Sequence, residues 1–140
     1  MKHTKNLLTL LLVLALAFSL VACNKIDAEG LWKDATYRRD TSFGKGAVTF
    51  TLDVVVAEQS VRFTVSTDKE TVGAALLEHG LIEGEMGAYG LYIKKVNGIT
   101  ADYDVDASYW GFYIDGEYAM SGVDTTPVTD GGAYELRYEK

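Results

Sequence analysis

The chain has 140 residues, a formal charge of −7 and a single Cys. An acidic balance of this kind argues against docking by charge on nucleic acid or anionic lipid. One Cys leaves no pair for an internal disulfide, and the length suits one domain with a modest core.

Lys2 and Lys5 precede an apolar run from Leu7 to Val21 that only Thr9 and Ser19 interrupt. The run suits the hydrophobic region of a signal peptide and falls short of the ~20 residues of a bilayer span. It ends in Leu20-Val21-Ala22-Cys23, which resembles the lipobox of bacterial lipoproteins. The resemblance implies cleavage before Cys23 and lipidation of its sulfur. It implies a signal peptide at 1–22, a lipidated Cys and tether at 23–46, and anchoring at the extracytoplasmic face of the cell membrane. Two acyl chains give stable anchoring where one gives reversible binding. An uncleaved anchor is the alternative. No fixed structure is expected before about residue 46, although Trp32 and Tyr37 are costly to leave in water and should pack along the domain.

From Ala47 the pattern is strand-like. Val48, Phe50, Leu52, Val54 and Val56 alternate with Thr49, Thr51 and Asp53, and Val61, Phe63 and Val65 alternate with Arg62 and Thr64. Period two with β-branched enrichment predicts a β-hairpin, joined by a three- or four-residue loop at Ala57-Glu58-Gln59. The period then changes: Val72, Ala75, Leu76 and His79 share one face of a helix. Either Thr67 with Glu70 as a capping box or Thr71 as N-cap starts it, and Gly80 stops it. His79 reads as a helix-end residue beside the negative pole of the dipole, with ligand duty the lesser reading.

Leu81 to Gly90, with three glycines and two glutamates, reads as a loop, Leu91 to Val96 as a short strand, and Asn97-Gly98 as a turn. Asp102, Asp104 and Asp106 imitate the opening of a calcium loop. No Gly holds its sixth position and Tyr113 stands at the twelfth, where a bidentate Glu is needed, so a solvated acidic turn is favoured and no metal site is assigned.

Tyr109 to Tyr118 organises the rest. Asp115-Gly116 suits a type I′ hairpin turn. Trp110, Phe112 and Ile114 share one face of the preceding strand, and Tyr109, Gly111 and Tyr113 share the other. Trp110 is expected in the core against the helix Val72–His79, with Tyr109 and Tyr113 facing outward beside flat space left by Gly111. Tyr134, Leu136 and Tyr138 alternate with charged residues in a final strand. The order β-β-α-β-β-β-β predicts an α+β domain over 47–140, a mostly antiparallel sheet with one packed helix in a β-grasp-like topology.

Several of these pieces occur together in one family. Glu70-Thr71-Val72-Gly73-Ala74-Ala75-Leu76-Leu77, Val96-Asn97-Gly98-Ile99, Tyr109-Trp110, Asp115-Gly116, Gly122-Val123, Asp130-Gly131 and Tyr134-Glu135-Leu136 stand in its order. Upstream, Gly30-Leu31-Trp32 and Ala35-Thr36-Tyr37 are similar to its bacterial members. The chain resembles the bacterial lipoproteins whose single domain of unassigned function looks like the C-terminal domain of transcobalamin and intrinsic factor. The resemblance implies a cobalamin-like or other vitamin-type ligand, a possible importer partner, and ligand contact at Tyr109, Trp110 and the following strand, whereas periodicity makes Tyr109 and Tyr113, flanking Gly111, the better candidates for ligand contact. The large helical domain with which those carriers hold the corrin is missing from this sequence. No enzyme is expected, since no nucleophile stands with a base and no phosphate loop follows a strand. No cofactor is expected either. A surface adhesion or assembly module without a small ligand is the alternative.

Overall fold

The computed structural model describes residues 25–140; Cys23 and the signal segment lie outside the described residues. At its centre is the hairpin of β2 (Val48–Val56) and β3 (Gln59–Thr67). The apolar rows coincide because the register sets Phe50 against Val65, Leu52 against Phe63 and Val54 against Val61, and all six are buried. On the outer face Asp53 stands opposite Arg62, whose guanidinium donates to both carboxylate oxygens at 2.8 and 3.0 Å. The connection is tighter than the expected loop. Only Ala57 and Glu58 lie between the strands, and Ala57 accepts a φ of 56° to close the turn.

Thr71 caps the helix Val72–Glu78, its hydroxyl accepting from the Ala74 N–H at 3.2 Å, so this start prevails over Thr67. Gly80 follows with φ +65°. Val72, Ala75 and Leu76 are buried in the core. Gly73 lets the Val123–Thr125 turn approach: a β-carbon there would lie 2.9 Å from the Asp124 nitrogen.

The last strand, β9 (Ala133–Glu139), runs parallel to β2 and antiparallel to β7 (Tyr109–Ile114). With β1 (Thr41–Phe43) and β8 (Glu117–Tyr118) at the edges, the sheet has the order β1-β3-β2-β9-β7-β8. The inner four strands, first and last parallel at the centre, form the β-grasp arrangement, and the domain is α+β as expected. Asp115 and Gly116 take φ of 52° and 81°, the type I′ signature.

A second sheet comprises β4 (Ile82–Gly87), β5 (Gly90–Val96) and β6 (Ile99–Thr100). β4 corrects the loop reading of 81–90. Every residue from Glu83 to Gly87 is exposed, so the strand carries no alternation to read. Gly84 sits at a register shift where a β-carbon would come 2.1 Å from the Tyr92 carbonyl oxygen, so glycine marks close strand approach there and not a loop.

The expectation of no fixed structure before residue 46 is also corrected. Ile26 and Trp32 are buried in the core, Gly30–Asp34 forms a short 3-10 turn, and β1 pairs in parallel with β3. Tyr37 meets Phe43 and Phe63 edge-on at 5.2 and 5.8 Å. Asn97 fastens the segment: its amide oxygen accepts from the Tyr37 N–H at 2.9 Å and its amide nitrogen donates to the Tyr37 carbonyl at 2.8 Å.

Candidate functional site

The two faces of β7 have different surroundings. Inward, Trp110 packs edge-on against Tyr138 with centroids 5.6 Å apart, and Phe112 stacks on Tyr134 at 6.0 Å. Trp110 is only 7% exposed, as periodicity predicts. Its cover differs from expectation. Leu91 and Ile93 of β5 share a slot with it, while the helix Val72–Glu78 packs on the Val123–Thr125 turn.

Outward, Tyr109 and Tyr113 both donate their hydroxyls to the Glu139 carboxylate, Tyr109 at 2.8 Å. The Arg137 guanidinium lies 4.2 Å from the centre of the Tyr113 ring and donates to Glu135 at 2.7 Å. Losing the bond to Glu139 and placing a second negative charge beside it opposes ionisation, so the Tyr109 phenol is pushed up to about 12. Tyr113 is raised by the same hydrogen bond, with burial adding to it. The flat space expected beside Gly111 is already filled. A β-carbon there would meet the Tyr113 ring at 3.1 Å and the Glu139 carboxyl at 3.3 Å.

Two adjoining openings lie at the other edge of β7. A basin of about 480 Å³ is lined by Tyr92, Lys94, Asp102, Tyr103, Asp104 and Tyr109. A slot of about 320 Å³ continues from it past Leu91, Ile93, Trp110, Phe112 and the Tyr118–Gly122 segment, sharing Tyr92 and Tyr109. The Tyr103 and Tyr109 rings stand 6.5 Å apart. One wall of the basin is the acidic turn. Asp102 caps the short helix Tyr103–Asp106 by accepting from the Asp104 N–H at 3.1 Å, and Ser108 donates to Asp106 through both its N–H and its hydroxyl. These bonds hold the Asp106 carboxyl below its ordinary value. The carboxylates of Asp102 and Asp106 are thus engaged in building the turn. Among the described residues, no three His, Cys, Asp or Glu side chains converge in a group that could hold a metal ion.

Of the four nominated residues, the structure brings Tyr109 to both openings and Trp110 to the slot, while Gly111 and Tyr113 line neither. Tyr92 and Tyr103 escaped the sequence reading. The usable signal was a tyrosine set among acidic or basic residues, exposed at 45% and 60% respectively. His79 is half-buried with its ring tilted on Phe43 at 5.6 Å, and its nearest charge is Glu78 at 3.8 Å.

Residues 69–140 match the family described as Domain of unknown function (DUF4430). Among solved structures, a candidate metal binding protein from Ruminococcus gnavus is similar at a TM-score of 0.64 and 34% identity, over 67% of this chain and 98% of its own. Haptocorrin in complex with Cbi is similar at a TM-score of 0.54 and 21% identity, over 70% of this chain and 26% of haptocorrin. The second likeness concerns the fold alone, and the chain spans about a quarter of that protein's length. No curated protein matches the chain.

Proposed function

Since the chain belongs to the family described as Domain of unknown function (DUF4430), we propose that it is a ligand-binding domain and not an enzyme. In this reading it is held outside the cytoplasmic membrane by a lipid on Cys23, and its tyrosine basin takes a flat small molecule of the vitamin type as an accessory to an importer. The observation that carries the reading is the convergence of Tyr92, Tyr103 and Tyr109, from a strand, a helical turn and a second strand, on one open basin. Aromatic rings offer large contact area at low entropic cost, and Lys94, Asp102 and Asp104 supply orienting polar groups. The fold shared with haptocorrin supports corrinoids as the first probes. The description of the R. gnavus relative is not carried over, because the described side chains form no donor set for a metal.

The test is a titration of the chain with corrinoids and other vitamins, followed by intrinsic fluorescence. Saturable binding that Tyr103→Ala removes supports the reading; absence of saturable binding across the panel defeats it. Anchoring is tested separately. Cys23→Ala should leave the precursor uncleaved, and a variant that matures normally and stays on the membrane contradicts the lipid anchor. Surface assembly is the second reading, favoured by the fully exposed Tyr89 and Met120 and the largely exposed Met86. Self-association that persists without any small ligand would favour it.

A further inference from the structure

The basin gathers three phenol rings and two carboxylates. The Tyr103 and Tyr109 rings stand 6.5 Å apart and are inclined at 58° to each other. Centroids this close leave room for one cation within about 6 Å of both, the range over which a ring face attracts positive charge. The Tyr109 hydroxyl donates to Glu139 at 2.8 Å, so this residue offers the basin its ring and not its hydroxyl. The charges around the rings do not cancel. Lys94, the cation in the lining, is paired with Glu85 at 3.5 Å, and the neighbouring Asp106 takes the Lys140 ammonium at 3.6 Å. Asp102 and Asp104 line the basin too, and neither makes an ion pair among the described residues. The wall is therefore aromatic with uncompensated negative charge. A metal ion would need a donor group that the described side chains do not form. A primary ammonium is compact and strongly hydrated, and an open basin replaces little of that water. A charge spread over a flat ring is weakly hydrated and stacks on aromatic faces.

We propose that the basin selects flat aromatic cations, rings of the pyridinium or thiazolium kind that carry a permanent positive charge. The inference rests on the reading of the basin as a small-molecule site and names the class of molecule it takes. Tyr92, Tyr103 and Tyr109 receive the ring, while Asp102 and Asp104 balance its charge. The adjoining slot, apolar at Leu91, Ile93 and Trp110, seats a substituent on that ring. The acidic chain draws cations toward the basin from solution. An anionic ligand would set its own charge against the two aspartates and is disfavoured.

The test titrates the full chain with 1-methylnicotinamide, a pyridinium cation, and with nicotinamide, the same ring without the charge. Thiamine, a thiazolium, and choline, whose charge sits on no ring, complete the set, and backbone amide shifts report binding. The pyridinium should saturate shifts at Tyr92, Tyr103 and Tyr109 and bind about tenfold or more tightly than nicotinamide, since ring faces and carboxylates act on its charge together. Added salt should weaken the cation and leave nicotinamide unmoved. Asp102→Asn with Asp104→Asn removes both charges while Asn still caps the turn. That double variant should bring the pyridinium down to the affinity of nicotinamide. Choline should bind more weakly than the pyridinium. Equal affinity for the charged and neutral rings, an unchanged cation affinity in the double variant, choline binding as tightly as the ring, or shifts centred elsewhere would overturn the proposal. A neutral or anionic vitamin that saturates the basin and is lost with Tyr103→Ala, while neither the pyridinium nor thiamine binds, sinks cation selectivity alone. Silence of every probe, cations included, sinks the basin reading with it.

Discussion

The β2–β3 hairpin and the β5–β7 region are built from the same kinds of residue, aromatic and β-branched, yet one is closed and the other open. β2 has β3 on one side and β9 on the other, so its apolar row has no exit and Phe50, Leu52 and Val54 are at most 1% exposed. Along β7 the neighbour on one side, β8, is two residues long, and along β5 the neighbour β6 is equally short. Tight turns at Asp115-Gly116 and Asn97-Gly98 begin both pairings, and both short partner strands then stop. The difference teaches that alternation reports which face of a strand is buried, whereas an opening here depends on which edge is left uncovered.

The largest test of that contrast is in the two cores. Leu52→Ala in the closed half should cost about 2–5 kcal/mol and Trp110→Ala in the open half about 3–5 kcal/mol, since both side chains are buried and leave cavities. Denaturant titration measures both. A Trp110→Ala protein as stable as the parent would mean that the indole serves the slot and not the core. Tyr103→Ala should change stability by only a few tenths of a kcal/mol, because its side chain is mostly exposed.

A smaller effect is expected at the turn that opens the slot. Gly116 has φ +81°, so Gly116→Val should cost about 1–3 kcal/mol, while Asp115→Asn should be nearly neutral because Asn tolerates the left-handed region. Equal melting temperatures for the two variants would contradict the hairpin geometry.

The least effect on stability, but a clear spectroscopic one, belongs to the outer face of β7. Folding raises the Tyr109 phenol to about 12 through its bond to Glu139. A group whose folded value is raised contributes stability below its unfolded value, near 10 for tyrosine, and loses it as pH climbs through the folded value. Glu139→Gln should therefore bring the tyrosinate absorbance of Tyr109 and Tyr113 to lower pH and advance alkaline unfolding. An unchanged titration would show that the carboxylate is not their partner.

Much of the fold is legible in the sequence where one face is wet and the other dry. The β2–β3 hairpin, the helix from Val72, the Asn97-Gly98 and Asp115-Gly116 turns and the inward position of Trp110 follow from period and turn chemistry, while the choice of Thr71 over Thr67 as cap does not. The N-terminal segment is legible only in part: the packing of Trp32 and Tyr37 follows from their size, but Ile26, the short 3-10 turn and the three-residue strand β1 are too brief to show a period. β4 is hidden because its exposed residues mix Glu, Met and Gly on both faces. The candidate site is half legible. Tyr109 and Trp110 stand out in the aromatic run, but Tyr92 and Tyr103 reach the basin only through the pairing of two sheets. Gly111 misleads, because whether a missing side chain leaves room depends on Tyr113 and Glu139, whose meeting over it requires the β7–β9 register.

The central claim is that the β5–β7 edge binds and the β2–β3 hairpin supports it. It is tested most directly by recording backbone amide shifts while the chain is titrated with corrinoids and other vitamins. The account predicts saturable shifts centred on Tyr92, Lys94, Tyr103 and Tyr109 with Val48–Thr67 unmoved; shifts centred on the Asp53 and Arg62 face, or none that saturate, would contradict it.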